Sequence, residues 1–215
     1  GVRVDRLSPT SWQVHPGPIA AVDERVEPDL TNAASLLAAA LVTGGRPSTA
    51  WPEGSRQGAD ALAAALAAFG AEIDYHGAGA TRRIAVQGPG RLSGADLDLH
   101  ATSELTPVVA ALAALAEGPS TIRGVAHIRG HETDRLAALE RELNGRGARV
   151  RQTDDGLHIE PAPLHGGVFH TYADHRLAHA GALLGLAVPG VELDDVACTT
   201  KTLPAFPTLW SELVG

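Results

Sequence analysis

Cysteine occurs once in the 215 residues, and aromatic side chains make up only 4% of them. One cysteine excludes an internal disulfide framework and any multi-cysteine zinc site, and it suits the reducing cytoplasm. With so few aromatics, small aliphatic side chains must fill most of the core. The N-terminal GVRVDRLSPTSWQ has no apolar signal core, and no run reaches the roughly 18 apolar residues of a membrane span, so no membrane partner is expected. A long basic run with interleaved aromatics is also missing, and the net charge is −8, which argues against nucleic acid as a partner. Neither a G-x-G-x-x-G turn nor a G-x-x-x-x-G-K-[ST] loop is present, so a Rossmann or P-loop nucleotide site is not expected.

What is present is a repeat. Three segments begin with an acid and continue as a nearly unbroken apolar run ending at glycine: Asp29-LTNAASLLAAALVTGG, Glu104-LTPVVAALAALAEG and Asp174-HRLAHAGALLGLAVPG. Each is apolar all round, the pattern of a helix buried on every side. A second type follows in GADALAAALAAFG and ETDRLAALERELNGRG. Here Leu62, Leu66 and Phe69, and then Leu136, Leu139 and Leu143, recur at three and four, with Glu140, Arg141 and Glu142 expected on the outward side. PAFPTLWSELVG reads as a third outer helix. After the outer helices, residues 70–89 and 147–161 each read as strand, turn and strand, and residues 1–18 have the same form. GGRPSTAWP, after the first inner helix, is a poor strand and predicts an irregular edge. The fold class is therefore α/β, with about three βαβαββ-like units that keep strands outside and apolar helices inside. Because the chain opens where an outer helix should have ended, and closes after one whose strand pair does not follow, it reads as a piece of a longer protein.

Inner helices that start at equivalent points bring three amino termini to one side, where partial positive charge attracts anions. Asp29 and Asp174 are expected to act as N-caps. Glutamate is a poor cap, and Thr106 followed by Pro107 offers a better start, so Glu104 is free for another task. Glu132 and Arg135 are three apart and would share a helix face. With His127, Arg129, His131 and Asp134 they make two histidines, two arginines and two acids in nine residues, a density surface helices rarely need. Lys201 precedes a proline-started helix, where it fits either a phosphate contact or a solvated lysine.

In order and spacing, Glu132-Thr133-Asp134-Arg135-Leu136, Asp174-His175-Arg176-Leu177-Ala178 and Cys198-Thr199-Thr200-Lys201-Thr202-Leu203-Pro204 resemble the ETDRL, DHRMA and CTAKTFP signatures of the EPSP synthase family. The similarity runs along essentially the whole chain, as the C-terminal half of the family sequence. It implies an enolpyruvyl transferase-like, inside-out α/β barrel. Residues 1–27 would be the last strands of an otherwise missing N-terminal lobe, and residues 28–215 the C-terminal lobe. The implied reaction transfers the carboxyvinyl group of phosphoenolpyruvate to the 5-hydroxyl of shikimate 3-phosphate and releases phosphate, a step toward aromatic amino acids. It needs no cofactor or metal, and the complete enzyme would be monomeric.

Such a reaction needs a proton placed on the methylene and another removed from the attacking hydroxyl, so two acid/base groups must face the reacting carbon. By resemblance, Glu104 is the base at the 5-hydroxyl, where many members have Asp, and Glu132 is the proton donor. Arg135, Arg176 and Lys201 match the cations that hold phosphoenolpyruvate, and His175 lies beside them. His131 stands where a lysine is usual, in contact with shikimate phosphate, and Leu177 and His179 replace two methionines. The family's N-terminal lysine-serine, asparagine-alanine-glycine-threonine and serine-serine-glutamine segments do not occur here. A relative acting on UDP-N-acetylglucosamine is the nearest alternative, and a non-catalytic anion-binding repeat module is another.

Overall fold

The computed structural model describes residues 1–24 and 26–215. The chain opens with an antiparallel hairpin of β1 (Val4–Ser8) and β2 (Ser11–Val14). Three units follow. The first holds α1 (Leu30–Thr43), β3 (Ser48–Ala50), α2 (Ala59–Ala68), β4 (Glu72–His76) and β5 (Arg83–Gln87). In the second come β6 (Asp96–Asp98), α3 (Thr106–Leu115), β7 (Ser120–Arg123), α4 (Arg135–Gly145), β8 (Arg149–Gln152) and β9 (Leu157–Glu160). The third has β10 (Gly167–Phe169), α5 (His175–Gly185), β11 (Val191–Leu193) and α6 (Phe206–Val214).

Only the second unit shows the full βαβαββ order among the described residues, in a sheet ordered β6-β7-β9-β8. Its parallel pair, with Leu97 opposite Ile122, is joined through α3, and β10 and β11 repeat that pair through α5, with Val168 opposite Glu192. Parallel neighbours need such a crossover, because a two-residue turn reverses direction. The first unit has the order β3-β5-β4. As the proline-containing turn before it suggested, β3 is a three-residue edge strand.

Inner helices α1, α3 and α5 pack on one another, with the small sheets outside them. Every residue from Thr106 to Ala114 of α3 is buried, and alanines at 110, 111, 113 and 114 let the neighbouring helices approach closely. Leu37 and Leu41 of α1 and Leu183 and Leu184 of α5 are also buried, each worth about 1.5–3 kcal/mol of apolar transfer. Outer helices α2 and α4 bury the expected stripes of Leu62, Leu66 and Phe69, and of Leu136, Leu139 and Leu143. Glu142 departs from the expected pattern. It is 3% exposed, turned inward because the Tyr172 hydroxyl and the His170 N–H both donate to its carboxylate. No helix among the described residues is long and apolar enough to cross a membrane.

Candidate active site

Asp29 and Asp174 are N-caps, as expected: the Asn32 N–H donates to Asp29 at 2.9 Å and the Arg176 N–H to Asp174 at 2.8 Å. These carboxylates already answer the positive ends of α1 and α5, so bare helix termini do not gather anions there. Thr106 is not a side-chain cap. Its hydroxyl is buried without a partner, and α3 is entered through the 3-10 turn His100–Leu105. That turn carries Glu104. Two further 3-10 turns precede α4 and α6: Ala126–Gly130 leads to His131 and Glu132, and Ala197–Lys201 ends on Lys201. Glu132 therefore stands just outside α4, which begins at Arg135.

The side chains singled out in the sequence come together around Arg135, which is fully buried. Its Nε donates to Asp174 at 2.7 Å and its Nη2 to the other oxygen of the same carboxylate at 3.2 Å. Nη1 reaches Glu104 at 2.9 Å, Nη2 reaches Glu132 at 2.8 Å, and His131 Nδ1 lies 3.0 Å from Nη1. Four N–H groups of the guanidinium fork thus donate to carboxylate oxygens, and the fifth faces His131 Nδ1. Burial works against the charge of Arg135, but Asp174 and Glu104 outweigh it, and its pKa stands above the ordinary value. His131 Nδ1 is also 3.1 Å from Glu104 Oε1, so one nitrogen is shared between a donor and a carboxylate.

Arg176 is 6% exposed. Its Nη1 donates to Asn32 Oδ1 of α1 at 2.8 Å, while its Nε, 3.5 Å from Glu104, is buried with no hydrogen-bond partner. A buried donor without an acceptor costs about 1–3 kcal/mol. Burial lowers the Arg176 pKa against the pull of Glu104 and Asp29. Lys201 is more than half exposed and donates to Glu132 at 2.5 Å. That hydrogen bond is the main reason the Glu132 carboxyl is held down to about 2. His175 is buried with Nδ1 unpartnered, and burial followed by repulsion from Arg176 lowers its pKa.

Three carboxylates (Glu104, Glu132, Asp174) thus face three cations (Arg135, Arg176, Lys201), and among the described residues Arg176 Nε is the one donor of these three cations that is buried without a hydrogen bond. Two members of this network escaped the sequence. Asn32 joins α1 to Arg176 across 144 positions, and Asp174, expected only as a cap, is the principal partner of Arg135. No group of three or more His, Cys, Asp or Glu among the described residues is arranged to hold a metal ion.

A family model described as EPSP synthase (3-phosphoshikimate 1-carboxyvinyltransferase) matches residues 1–210. The 3-phosphoshikimate 1-carboxyvinyltransferase of Kocuria rhizophila is 56% identical over 216 aligned positions, covering 100% of this chain and 48% of that protein. The chain therefore spans about half the length of the curated relative it matches. Among solved structures, an EPSP synthase from Acinetobacter baumannii matches with a TM-score of 0.80 at 22% identity, over 99% of this chain and 52% of that one. The enolpyruvyl transferase NikO from Streptomyces tendae gives 0.70 at 23% identity, over 99% and 50%. At these identities the likeness to the solved structures is one of fold, and it bears out the enolpyruvyl transferase-like architecture expected from the sequence.

Proposed function

Since this chain belongs to the EPSP synthase family, we propose that it supplies one lobe of a cytoplasmic enzyme that transfers the carboxyvinyl group of phosphoenolpyruvate to the 5-hydroxyl of shikimate 3-phosphate. In this reading residues 1–27 belong to a second lobe, with β1 and β2 among its last strands, and residues 28–215 carry Glu104 as the base, Glu132 as the proton donor, and Arg176, Lys201 and Arg135 as the cationic wall. His131 and His175 border the two substrates. The observation that carries the proposal is the pairing of the two carboxylates with cations of unequal freedom. Arg135 is fully engaged, whereas Arg176 has an unpartnered Nε–H and Lys201 is held by Glu132 alone among the described residues.

This inequality gives a mechanism. A carboxyl held down to about 2 is ionised at neutral pH and cannot donate a proton. When the phosphate or carboxylate of phosphoenolpyruvate takes Lys201, Glu132 loses the hydrogen bond that keeps it ionised and gains a negative neighbour. Both changes raise its pKa, so it takes up the proton that the methylene carbon receives. Addition of the 5-hydroxyl, whose proton passes to Glu104, gives a tetrahedral adduct. In the adduct the former methylene carbon is a methyl group; one methyl proton returns to the Glu132 carboxylate as the C–O bond to phosphate breaks, the phosphate leaves with the proton held by Glu104, and the enol ether forms.

The test uses the intact natural protein that carries this chain. Binding of phosphoenolpyruvate, followed by calorimetry in buffers of different ionisation enthalpy, is expected to show net proton uptake in the wild type and none in Glu132→Gln. Phosphate release from the two substrates is expected to fall by about 10²-fold or more in Glu132→Gln and in Glu104→Gln. Turnover within tenfold of wild type removes that carboxylate from the mechanism. A melting temperature that responds to UDP-N-acetylglucosamine and not to shikimate 3-phosphate overturns the choice of acceptor.

A further inference from the structure

Between β10 and α5 the chain turns through Tyr172 and Ala173, both with φ of +55°. Neither is glycine. Two consecutive left-handed residues with a Cβ are strained, and such a conformation persists only where the surroundings over-determine it. Here two carboxylates from different elements do so. Glu142, buried on α4, accepts from the Tyr172 hydroxyl at 2.6 Å and from the His170 N–H at 3.0 Å. Asp194, just past β11, accepts from the Thr171 N–H at 2.8 Å and its hydroxyl at 2.9 Å, and lies 2.9 Å from His170 Nδ1. The Asp174 N–H closes the turn on the Thr171 carbonyl at 2.8 Å. Burial, and then the Glu142 carboxylate, raise the Tyr172 pKa, so the phenol stays a donor throughout the neutral range.

The turn ends on Asp174, whose carboxylate grips Arg135, and leads directly into Arg176. Helix α4 carries both Glu142 and Arg135, so it is pinned to this turn at two points about two helical turns apart. We propose that Glu142, Tyr172 and Asp194 are positioning residues, which hold the left-handed turn so that Asp174 fixes Arg135 and Arg176 meets the arriving anion. This rests on the donor-binding reading above. A merely connecting turn would need neither the strain nor two carboxylates, one of them buried; the strain is tolerated where backbone geometry sets the placement of charge.

The test compares Tyr172→Phe, Glu142→Gln and the double variant Tyr172→Phe/Ala173→Asn in the intact natural protein. Ala173 is exposed, and asparagine tolerates the left-handed region, so the second change lets the turn form without its clamp. The first readout needs no substrate. Hydrogen exchange at the backbone N–H groups of Asp174 and Arg176 is expected to quicken about tenfold or more in Tyr172→Phe and Glu142→Gln, measured against amides of α3, and to slow again in the double variant. The second readout is kinetic: KM for phosphoenolpyruvate is expected to rise about tenfold, with KM for shikimate 3-phosphate and kcat within about threefold, and to recover in the double variant. A fall in melting temperature without local quickening overturns the proposal, and so does local quickening without a change in KM for phosphoenolpyruvate. If the wild type turns over neither substrate, the functional reading fails, and the exchange readout alone decides whether the clamp positions Asp174 and Arg176.

Discussion

His179 is a polar side chain that the core leaves without a hydrogen bond. It is 2% exposed in α5, neither ring nitrogen has a hydrogen-bond partner, and its ring lies 4.4 Å from that of Phe206. Burial, and then the charge of Arg176, bring its pKa down from 6.5 to about 3. The unfolded chain therefore binds a proton at this residue before the folded one does. The stability tied to neutral His179 is fully present above pH 6.5 and is lost progressively as pH falls toward 3, at roughly 1.4 kcal/mol per pH unit. His175, also lowered by burial, acts in the same direction. His179→Leu is expected to raise the melting temperature and to flatten the acid limb of stability between pH 6 and 4, read by chemical denaturation. An unchanged acid limb would mean that the imidazole finds a partner when charged. The sequence disclosed this residue as a polar group in a buried helix, and it disclosed Glu132 and Arg135 as dense charge beside an apolar run, whereas Arg176 and Lys201 were singled out by the resemblance of their short strings to family signatures. Asn32 and Glu142 carried no such mark. Their partners, Arg176 and Tyr172, are 144 and 30 positions away, and the periodicity of one helix cannot say which of its polar residues another element will capture.

Helices were easier to read than strands, because a long apolar run ending at glycine and opened by aspartate states its start, its end and its burial. Strands β6, β10 and β11 have three residues each, too few for an alternation of two to show. The i, i+3 spacing of Glu132 and Arg135 suggested a shared helix, but the 3-10 turn before α4 leaves Glu132 outside it. The repeat shows more plainly in close approaches. Gly94, before β6, lies against the Pro119 carbonyl, and Gly166, before β10, lies against that of Pro189, at equivalent places in the two parallel pairs. A Cβ on Gly166 would stand 2.5 Å from that carbonyl oxygen. Backbone meets backbone there, and no side chain can swing away. Gly166→Ala is expected to destabilise the third unit by about 1–3 kcal/mol or more, seen as a lower denaturation midpoint with unchanged slope. Gly130→Ala, with open space around the new Cβ, is the control and is expected to change the midpoint little.

Across the whole molecule, apolar surface is unevenly covered. Val4, Leu7, Trp12 and Val14 of the first hairpin are each more than half exposed, and Ile19, Val22 and Val26 beyond it more so. Apolar area of this kind favours association. The 215-residue chain by itself is expected to self-associate at micromolar concentration in analytical ultracentrifugation, and Trp12→Ser with Val14→Ser to shift it toward monomer. A monomer at all concentrations would show that this surface is tolerated in water. The centre is the opposite case, with α3 buried from Thr106 to Ala114 and carrying four alanines in ten residues. Every alanine codon is one base change from valine, threonine, serine, proline, glycine and an acid, and each of these overfills, polarises, bends or loosens a helix that has no spare room. Neutral drift has few single steps available along α3, so change there must come as compensating pairs with α1 or α5, and the three helices at the centre should share one history more tightly than the sheets around them.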